Sequence, residues 1–248
     1  MADDHCLDGY TGAELAAELG LPRVELLAET ASTQDVAHRL AAEGARSGTL
    51  VVADQQTRGR GRSGARWHSA PGAGLWLTLI ERPNDSSGID VLSIRVGIRA
   101  ARSLDRFAAE PIRLKWPNDL YVGGGKLAGI LVEARWRENH LEWVAIGIGV
   151  NIAPPADFPG ATGLDPGTRR SDVLAEMIPG IRLAAAATGE LTARELIEFD
   201  TRDMARGHRC VEPAQGTVRG ITPTGELLVA LADTVAKYRS GSLVLERG

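Results

Sequence analysis

The chain has 248 residues, enough for one large domain or one domain with a small appendage. Its composition, 44% hydrophobic and 24% charged, is that of an ordinary globular protein, and no stretch approaches the roughly 18 apolar residues of a membrane span. A formal net charge of −4 argues against a nucleic-acid-coating surface, and two cysteines, Cys6 and Cys210, make neither a disulfide framework nor a zinc set.

Residues Met1 to Gly20 lack the basic-then-apolar pattern of a secretory signal, so a cytoplasmic location without a membrane partner is expected. Ala13 to Leu19 reads as a short amphipathic helix ended by Gly20 and Pro22. Val24 to Leu27 reads as a strand. Ser32 or Thr33 then caps a helix whose stripe is Val36, Ala37, Leu40 and Ala41. Thr49 to Ala53 and Leu75 to Ile80 are expected strands on either side of an Arg/Gly loop, Thr57 to Arg66. Asp90 to Phe107 has helical spacing and leads into a strand, Ile112 to Trp116, stopped by Pro117. Leu120 to Val122 and Leu127 to Val132 flank Gly123-Gly124-Gly125 as a hairpin, and Trp143 to Val150 is a further strand. Pro154 to Gly167 is a loop. Helices follow over Asp172 to Ala187, interrupted at Pro179-Gly180, and over Ala193 to Ala205. After Gly207 the texture changes to short strands at Gly216 to Ile221, Glu226 to Ala230, Thr234 to Arg239 and Ser242 to Leu245. They bury too little to fold alone, so a small barrel docked on the main domain is expected. The fold class is α+β, divided into 1–206 and 207–248.

Of the 28 basic residues, only Lys115, Lys126 and Lys237 are lysines, leaving 25 arginines. Two of those lysines fall within residues 115–126, a stretch that also holds Trp116-Pro117-Asn118-Asp119. Lys126 leaves a glycine turn directly into the buried run Leu127 to Leu131, which aims its ammonium into a cavity, and Gly129 would leave room against the strand. Gly59-Arg60-Gly61-Arg62-Ser63-Gly64 matches the dinucleotide fingerprint in form, but Trp67 to Gly74 cannot supply the helix that fingerprint needs. Gly125-Lys126 fails as a Walker A loop. What remains is a glycine loop with Arg58, Arg60, Arg62 and Arg66, suited to phosphate or carboxylate, or else a solvated basic turn. Gly147-Ile148-Gly149-Val150-Asn151 carries two glycines inside an apolar strand, as where something packs closely on the backbone; Asn151 is either a base-edge contact or a turn residue. The five histidines show no metal spacing and no nucleophile partner, and no residue set is expected to hold a metal of its own.

Taken together, Ser32-Thr33-Gln34, Gln56 with Gly59 to Gly64 and Trp67, Lys115 to Asp119 with Lys126 to Leu131, and Gly147 to Asn151 resemble biotin–protein ligases in order and spacing, over about residues 24 to 152. The tail after Gly207 resembles that family's small SH3-like barrel. Gln34 stands where the family commonly has Asn, and Ala65 where it has a further Arg. The resemblance implies a mixed sheet with flanking helices, related to the catalytic domain of class II aminoacyl-tRNA synthetases. It implies two steps: biotin and MgATP form biotinyl-5′-AMP, and a lysine of a biotin carboxyl carrier protein then takes the biotinyl group. It places Ser32, Thr33, Gln34 and Gln56 around the biotin ring. Arg60 and Arg62, with Gly59 and Gly61, form the loop that closes over biotin and phosphate, and Lys126 sits at the carboxyl–phosphate junction. Lys115, Asn118, Gly129 and Gly149 belong to the same site, Trp67 and Asn151 are adenine candidates, and Asp119 either orients the carrier lysine or holds Mg²⁺. The working form is expected to be a monomer or homodimer. Some members carry an N-terminal winged helix of on the order of sixty residues; with about two dozen residues before Val24, no DNA binding is expected.

Overall fold

The structure, a computed structural model, describes residues 5–153 and 158–246; residues 154–157 of the expected loop and the last two of the expected barrel lie outside the described residues. A seven-stranded sheet forms the body. Its strands are β1 (Arg23–Thr30), β2 (Thr49–Gln56), β3 (Gly74–Glu81), β4 (Arg113–Lys115), β5 (Asp119–Val122), β6 (Gly125–Arg137) and β7 (His140–Asn151), in the order β1-β2-β3-β7-β6-β5-β4. β1 and β2 run parallel and the other pairs are antiparallel. The mixed sheet follows from the connections. A helix, α2 (Thr33–Ala42), carries the chain back between β1 and β2, whereas the glycine turn at Gly123 and Gly124, with φ 55° and 78°, reverses β5 into β6 directly.

The sheet has helices on both faces. Leu50, Val52, Leu75, Leu77 and Leu79 point into the main core, covered by α1 (Gly12–Leu19), α3 (Leu92–Leu104) and α4 (Arg170–Ala186). Val51, Ile80 and Trp143 point the other way and meet Ala37, Leu40 and Ala41 of α2 in a smaller cluster. This two-sidedness explains why β3 is buried over its whole length and reads as a continuous apolar run. It also decides the two-glycine strand. In β7, Ile146, Ile148 and Val150 enter the main core, so Gly147 and Gly149 share the opposite face, the face of α2.

Two local expectations are corrected. α4 runs unbroken through Pro179, because Met177, Ile178 and Ile181 on either side are fully buried and pack it against α3; that burial outweighs one lost backbone bond. A strand that the spacing did not announce, β8 (Arg209–Glu212), follows α5 (Ala193–Arg202). It joins β9 (Gly216–Ile221), β10 (Leu227–Ala230), β11 (Val235–Tyr238) and β12 (Val244–Leu245) in a five-stranded antiparallel sheet ordered β11-β10-β9-β8-β12.

This second sheet shares the main core through Cys210, Val218, Leu227, Val229 and Leu243. Trp116, 2% exposed, donates its indole N–H to the Gly225 carbonyl at 2.9 Å, so the tryptophan of the Lys115–Asp119 segment is a dowel between the two sheets. Trp116→Phe keeps most of the packing but strands that carbonyl. A loss of about 1 kcal/mol is expected, read as a lower denaturant midpoint at unchanged slope.

Candidate active site

A cavity of about 360 Å³ opens on the α2 face of the large sheet. It is lined by Ser32, Thr33, Gln34, Gln56, Arg60, Gly61, Arg62, Trp67, Lys115, Asn118, Asp119, Lys126, Gly129 and Gly149, which is every site residue expected from the sequence except Gly59 and Asn151. Residues from the 32–34 helix start to the 147–149 strand thus converge on one space.

One end of the cavity is neutral and hydrogen-bonding. The start of α2 aims three side chains there because Ser32, in extended backbone, caps the helix by accepting from Gln34 N. Gln56 at the end of β2 accepts from both the backbone N–H and the hydroxyl of Thr33, at 2.8 and 3.1 Å, and donates Nε2 to Ser69 Oγ at 2.7 Å. Gln34 donates to the Ala145 carbonyl at 3.1 Å, and Thr78 Oγ1 lies 2.9 Å from Thr33 Oγ1 and 3.1 Å from Gln34 Oε1. Gln34 reaches this far because Gly147 has no side chain: a Cβ there would come within 2.6 Å of Gln34 Oε1. Thr78 and Ser69 were missed by sequence reasoning. Thr78 sits alone among apolar residues of β3, and that single hydroxyl in a buried run was the available signal.

The other end is cationic. Lys126 Nζ pairs with Asp119 Oδ1 at 2.8 Å and lies 5.3 Å from the centre of the Trp67 ring. Lys115 lies 5.5 Å from the ring of Tyr121; burial pushes its ammonium below the usual lysine range, opposed by Asp119 and aided by Lys126. Arg62 donates to Asn118 Oδ1 at 3.2 Å, and burial lowers its guanidinium too, against the pull of Asp119. Asn118 in turn donates to the Ile130 carbonyl at 2.7 Å, which orients its amide. Lys115, Lys126 and Arg62 therefore surround one carboxylate, leaving an excess of positive charge where the cavity can admit an anion.

Three of the expected positions meet partners within the chain itself. The room left by Gly129 and Gly149, paired directly across β6 and β7, is filled by Trp67: a Cβ on Gly149 would lie 2.4 Å from its Nε1 and one on Gly129 2.8 Å from its ring. Trp67 Nε1 is buried there without a hydrogen-bond partner. Asn151 does not line the cavity; it donates its amide to the Lys126 carbonyl at 3.2 Å, steadying the strand that carries Lys126. Gly59 lines an adjoining groove instead, and its missing side chain lets the loop close, since a Cβ would meet the Trp67 carbonyl at 2.4 Å. Gly149→Ala should force the indole off the sheet and cost about 1–2 kcal/mol of stability, visible as a lower denaturation midpoint with altered tryptophan emission.

The Arg/Gly loop folds back on itself. Gly61 N–H donates to the Ala65 carbonyl, Trp67 N–H to the Gly59 carbonyl and Arg66 to the Thr57 carbonyl, around a single 3-10 turn at Arg62–Gly64. Gly241, Ser242 and Leu243, which lead into β12, and Val244 within it complete the cavity wall, a contribution with no signature in the sequence.

The sequence model of the Biotin/lipoate A/B protein ligase family matches residues 26–151, which hold both ends of this cavity. A biotin--[acetyl-CoA-carboxylase] ligase of Mycobacterium tuberculosis is 31% identical over 253 aligned positions, covering 97% of this chain and 85% of that protein. The chain belongs to the Biotin/lipoate A/B protein ligase family. A bifunctional ligase/repressor BirA of Bacillus subtilis is 42% identical over 130 residues, 52% of this chain, and the match spans only 40% of that longer protein. The fold is shared with a biotin protein ligase from Aquifex aeolicus solved in complex with biotin and ATP, with a TM-score of 0.72 at 24% identity, covering 91% of this chain and 99% of that one.

Proposed function

We propose that the chain activates biotin with MgATP to biotinyl-5′-AMP and passes the biotinyl group to a lysine of a biotin carboxyl carrier protein. The observation that carries this reading is the union, in one cavity, of a neutral hydrogen-bonding end and a cationic end. A ureido ring offers N–H donors and a carbonyl acceptor, which the hydroxyls and amides of Ser32, Thr33, Gln34, Gln56 and the added Thr78 can match; a lipoyl dithiolane offers neither.

Activation requires a carboxylate to attack an α-phosphate. Two anions about 4 Å apart repel by roughly 4 kcal/mol at an effective dielectric near 20. Lys126, Arg62 and Lys115 are placed to offset that repulsion, and the charge they meet grows as the transition state forms. The new mixed anhydride forms at the α-phosphorus as pyrophosphate leaves; the carrier amine then attacks the biotinyl carbonyl and AMP leaves. Neither step needs an enzyme nucleophile. Mg²⁺ bound with ATP would supply further positive charge at the phosphates, and Asp119, the cavity carboxylate paired with Lys126, would stand beside it or orient the carrier amine. Trp67, its indole N–H unpaired, presents a flat apolar face beside Lys126 on which a base can stack. The separate hydrogen bonding of the two sheets supports a division into a catalytic unit, 1–206, and an SH3-like barrel, 207–248, whose Gly241–Val244 segment walls the cavity. Among the described residues no helix is long and apolar enough to cross a membrane, and a carrier protein rather than DNA is the macromolecular partner this reading uses.

The test is biotin-dependent exchange of labelled pyrophosphate into ATP, with lipoate as the competing acid. Exchange with biotin and none with lipoate is expected. Exchange with lipoate alone, or with neither acid, overturns the reading.

A further inference from the structure

Arg60 stands apart from the other cations of the cavity. Its guanidinium is held between two carboxylates on different elements: Nη1 donates to Asp35 Oδ1 on α2 at 2.7 Å, and Nη2 to Glu133 Oε1 on β6. A guanidinium that bridges two carboxylates has its charge offset and its direction fixed, so it attracts a phosphate less than a free one does. Arg62, two residues on, directs its guanidinium to the neutral Asn118 instead. The loop's two inner arginines are therefore not equivalent.

Glu133 is itself held from behind. Its second oxygen, Oε2, lies 2.9 Å from His38 Nε2, and His38 Nδ1 lies 3.0 Å from the indole nitrogen of Trp143. An indole N–H can only donate, so Nδ1 is the acceptor and the ring carries its hydrogen on Nε2, aimed at Glu133. Trp143 is anchored in the smaller core cluster with Ala37, Leu40 and Ala41, and the Arg82 guanidinium sits 5.5 Å above its ring. Asp35 and His38, three residues apart, share one face of α2. A chain of directed contacts thus runs from the core through Trp143, His38 and Glu133 to Arg60 in the middle of the loop.

We propose that Arg60 is the latch of the Arg/Gly loop rather than a phosphate ligand, that Asp35 and Glu133 are its seats, and that His38 is a positioning residue that fixes Glu133. The latch joins the loop to both walls of the cavity, α2 and β6, and Gly59 and Gly61 on either side of Arg60 let the backbone turn out when it is released. Its consequence for the reaction rests on the biotin-ligase reading above: with the latch seated, the loop stays closed over an adenylate, and Arg62 stays near it. The partly exposed ion pairs make the latch weak enough to open during turnover and sensitive to salt.

The closing experiment begins on the ligand-free chain, so that it does not depend on that reading. Amide hydrogen exchange is followed at Gly61, Ala65 and Trp67, the N–H groups that close the loop. Glu133→Gln and Asp35→Asn should each speed exchange there by about three- to tenfold, while amides of β3 stay unchanged. About 1 M salt should do the same to the wild type and little to the variants. Adding Arg60→Ala to the Glu133→Gln, Asp35→Asn chain should add little, because the charges that hold it are already gone. In turnover, Glu133→Gln should raise the adenylate off-rate by a similar factor while leaving the rate of pyrophosphate exchange at saturating substrate within about twofold. Should Glu133→Gln fail to fold, Asp35→Asn, at a more exposed helix position, carries the test alone. Unchanged loop exchange in the folded variants overturns the latch whatever the enzyme does. Faster exchange in a protein that shows no biotin-dependent pyrophosphate exchange supports the latch and overturns the function instead.

Discussion

Lys126→Ala should lower the rate of biotin-dependent adenylate formation by roughly thirty- to a thousand-fold while changing biotin affinity much less. The figure corresponds to losing one electrostatic stabiliser, about 2–4 kcal/mol. The split between rate and affinity follows from position. Lys126 sits at the cationic end of the cavity, away from the Gln34, Gln56 and Thr78 hydrogen bonds that suit a ureido ring, so it acts chiefly when charge gathers at the reacting phosphate. Part of the loss has a second origin, because removing the ammonium takes from the Asp119 carboxylate its direct ion-pair partner beside an incoming anion. The double variant Lys126→Ala, Asp119→Asn should therefore recover some activity relative to the single one. Single-turnover adenylation with titrated biotin measures both effects. A rate within a few-fold of wild type would place Lys126 outside the chemistry.

Arg62→Gly should still form adenylate but lose it about ten to a hundred times faster. A biotinyl-adenylate is a reactive mixed anhydride that must be held until its lysine arrives. A charge-assisted contact from a half-buried guanidinium is worth roughly 1.5–3 kcal/mol, and about 1.4 kcal/mol corresponds to each tenfold. The Arg62 side chain donates to the neutral Asn118, and burial already disfavours its charge, so an anionic ligand improves its surroundings more than it would those of Arg60. Escaped adenylate then acylates exposed lysines of bystander proteins. The measurements are the adenylate off-rate and biotin incorporation into added serum albumin. If adenylate forms and neither quantity rises, Arg62 is not what retains it.

Most of the strands and helices were legible as local patterns because burial imposes them residue by residue. The alternation in β7, the 3/4-spaced stripe behind Ser32 and the glycine turn before Lys126 each follow from one face meeting a core. The site was legible for a related reason. Its residues lie in short segments, 32–34, 59–67, 115–119 and 126–129, whose types are wrong for pure structure: glycines inside a buried strand, and the few lysines of an arginine-rich chain beside a buried run.

Where a side chain ends up across the fold was not legible in the same way. The two-glycine strand showed that something packs closely on it; only the fold decided that this is Trp67 and Gln34 of the same chain. Asn151, a plausible base contact by position, spends its amide on the Lys126 carbonyl, and Pro179 fails to break a helix whose flanks are buried. Arginines 60 and 62 look alike in the loop, yet one meets Asp35 and Glu133 and the other Asn118. Gly241–Val244 reaches the cavity because Trp116 and the shared core dock the second sheet beside it. The physical reason is common to all of these. Sequence by itself determined the elements and the chemical types at the site, since local backbone preference and one-sided burial act over a few residues; the hydrogen bonds and ion pairs that assign each polar side chain its partner join positions tens to more than a hundred residues apart, 25 for Arg60 to Asp35 and 111 for Gln34 to Ala145, and only the packed tertiary structure brings those partners within reach.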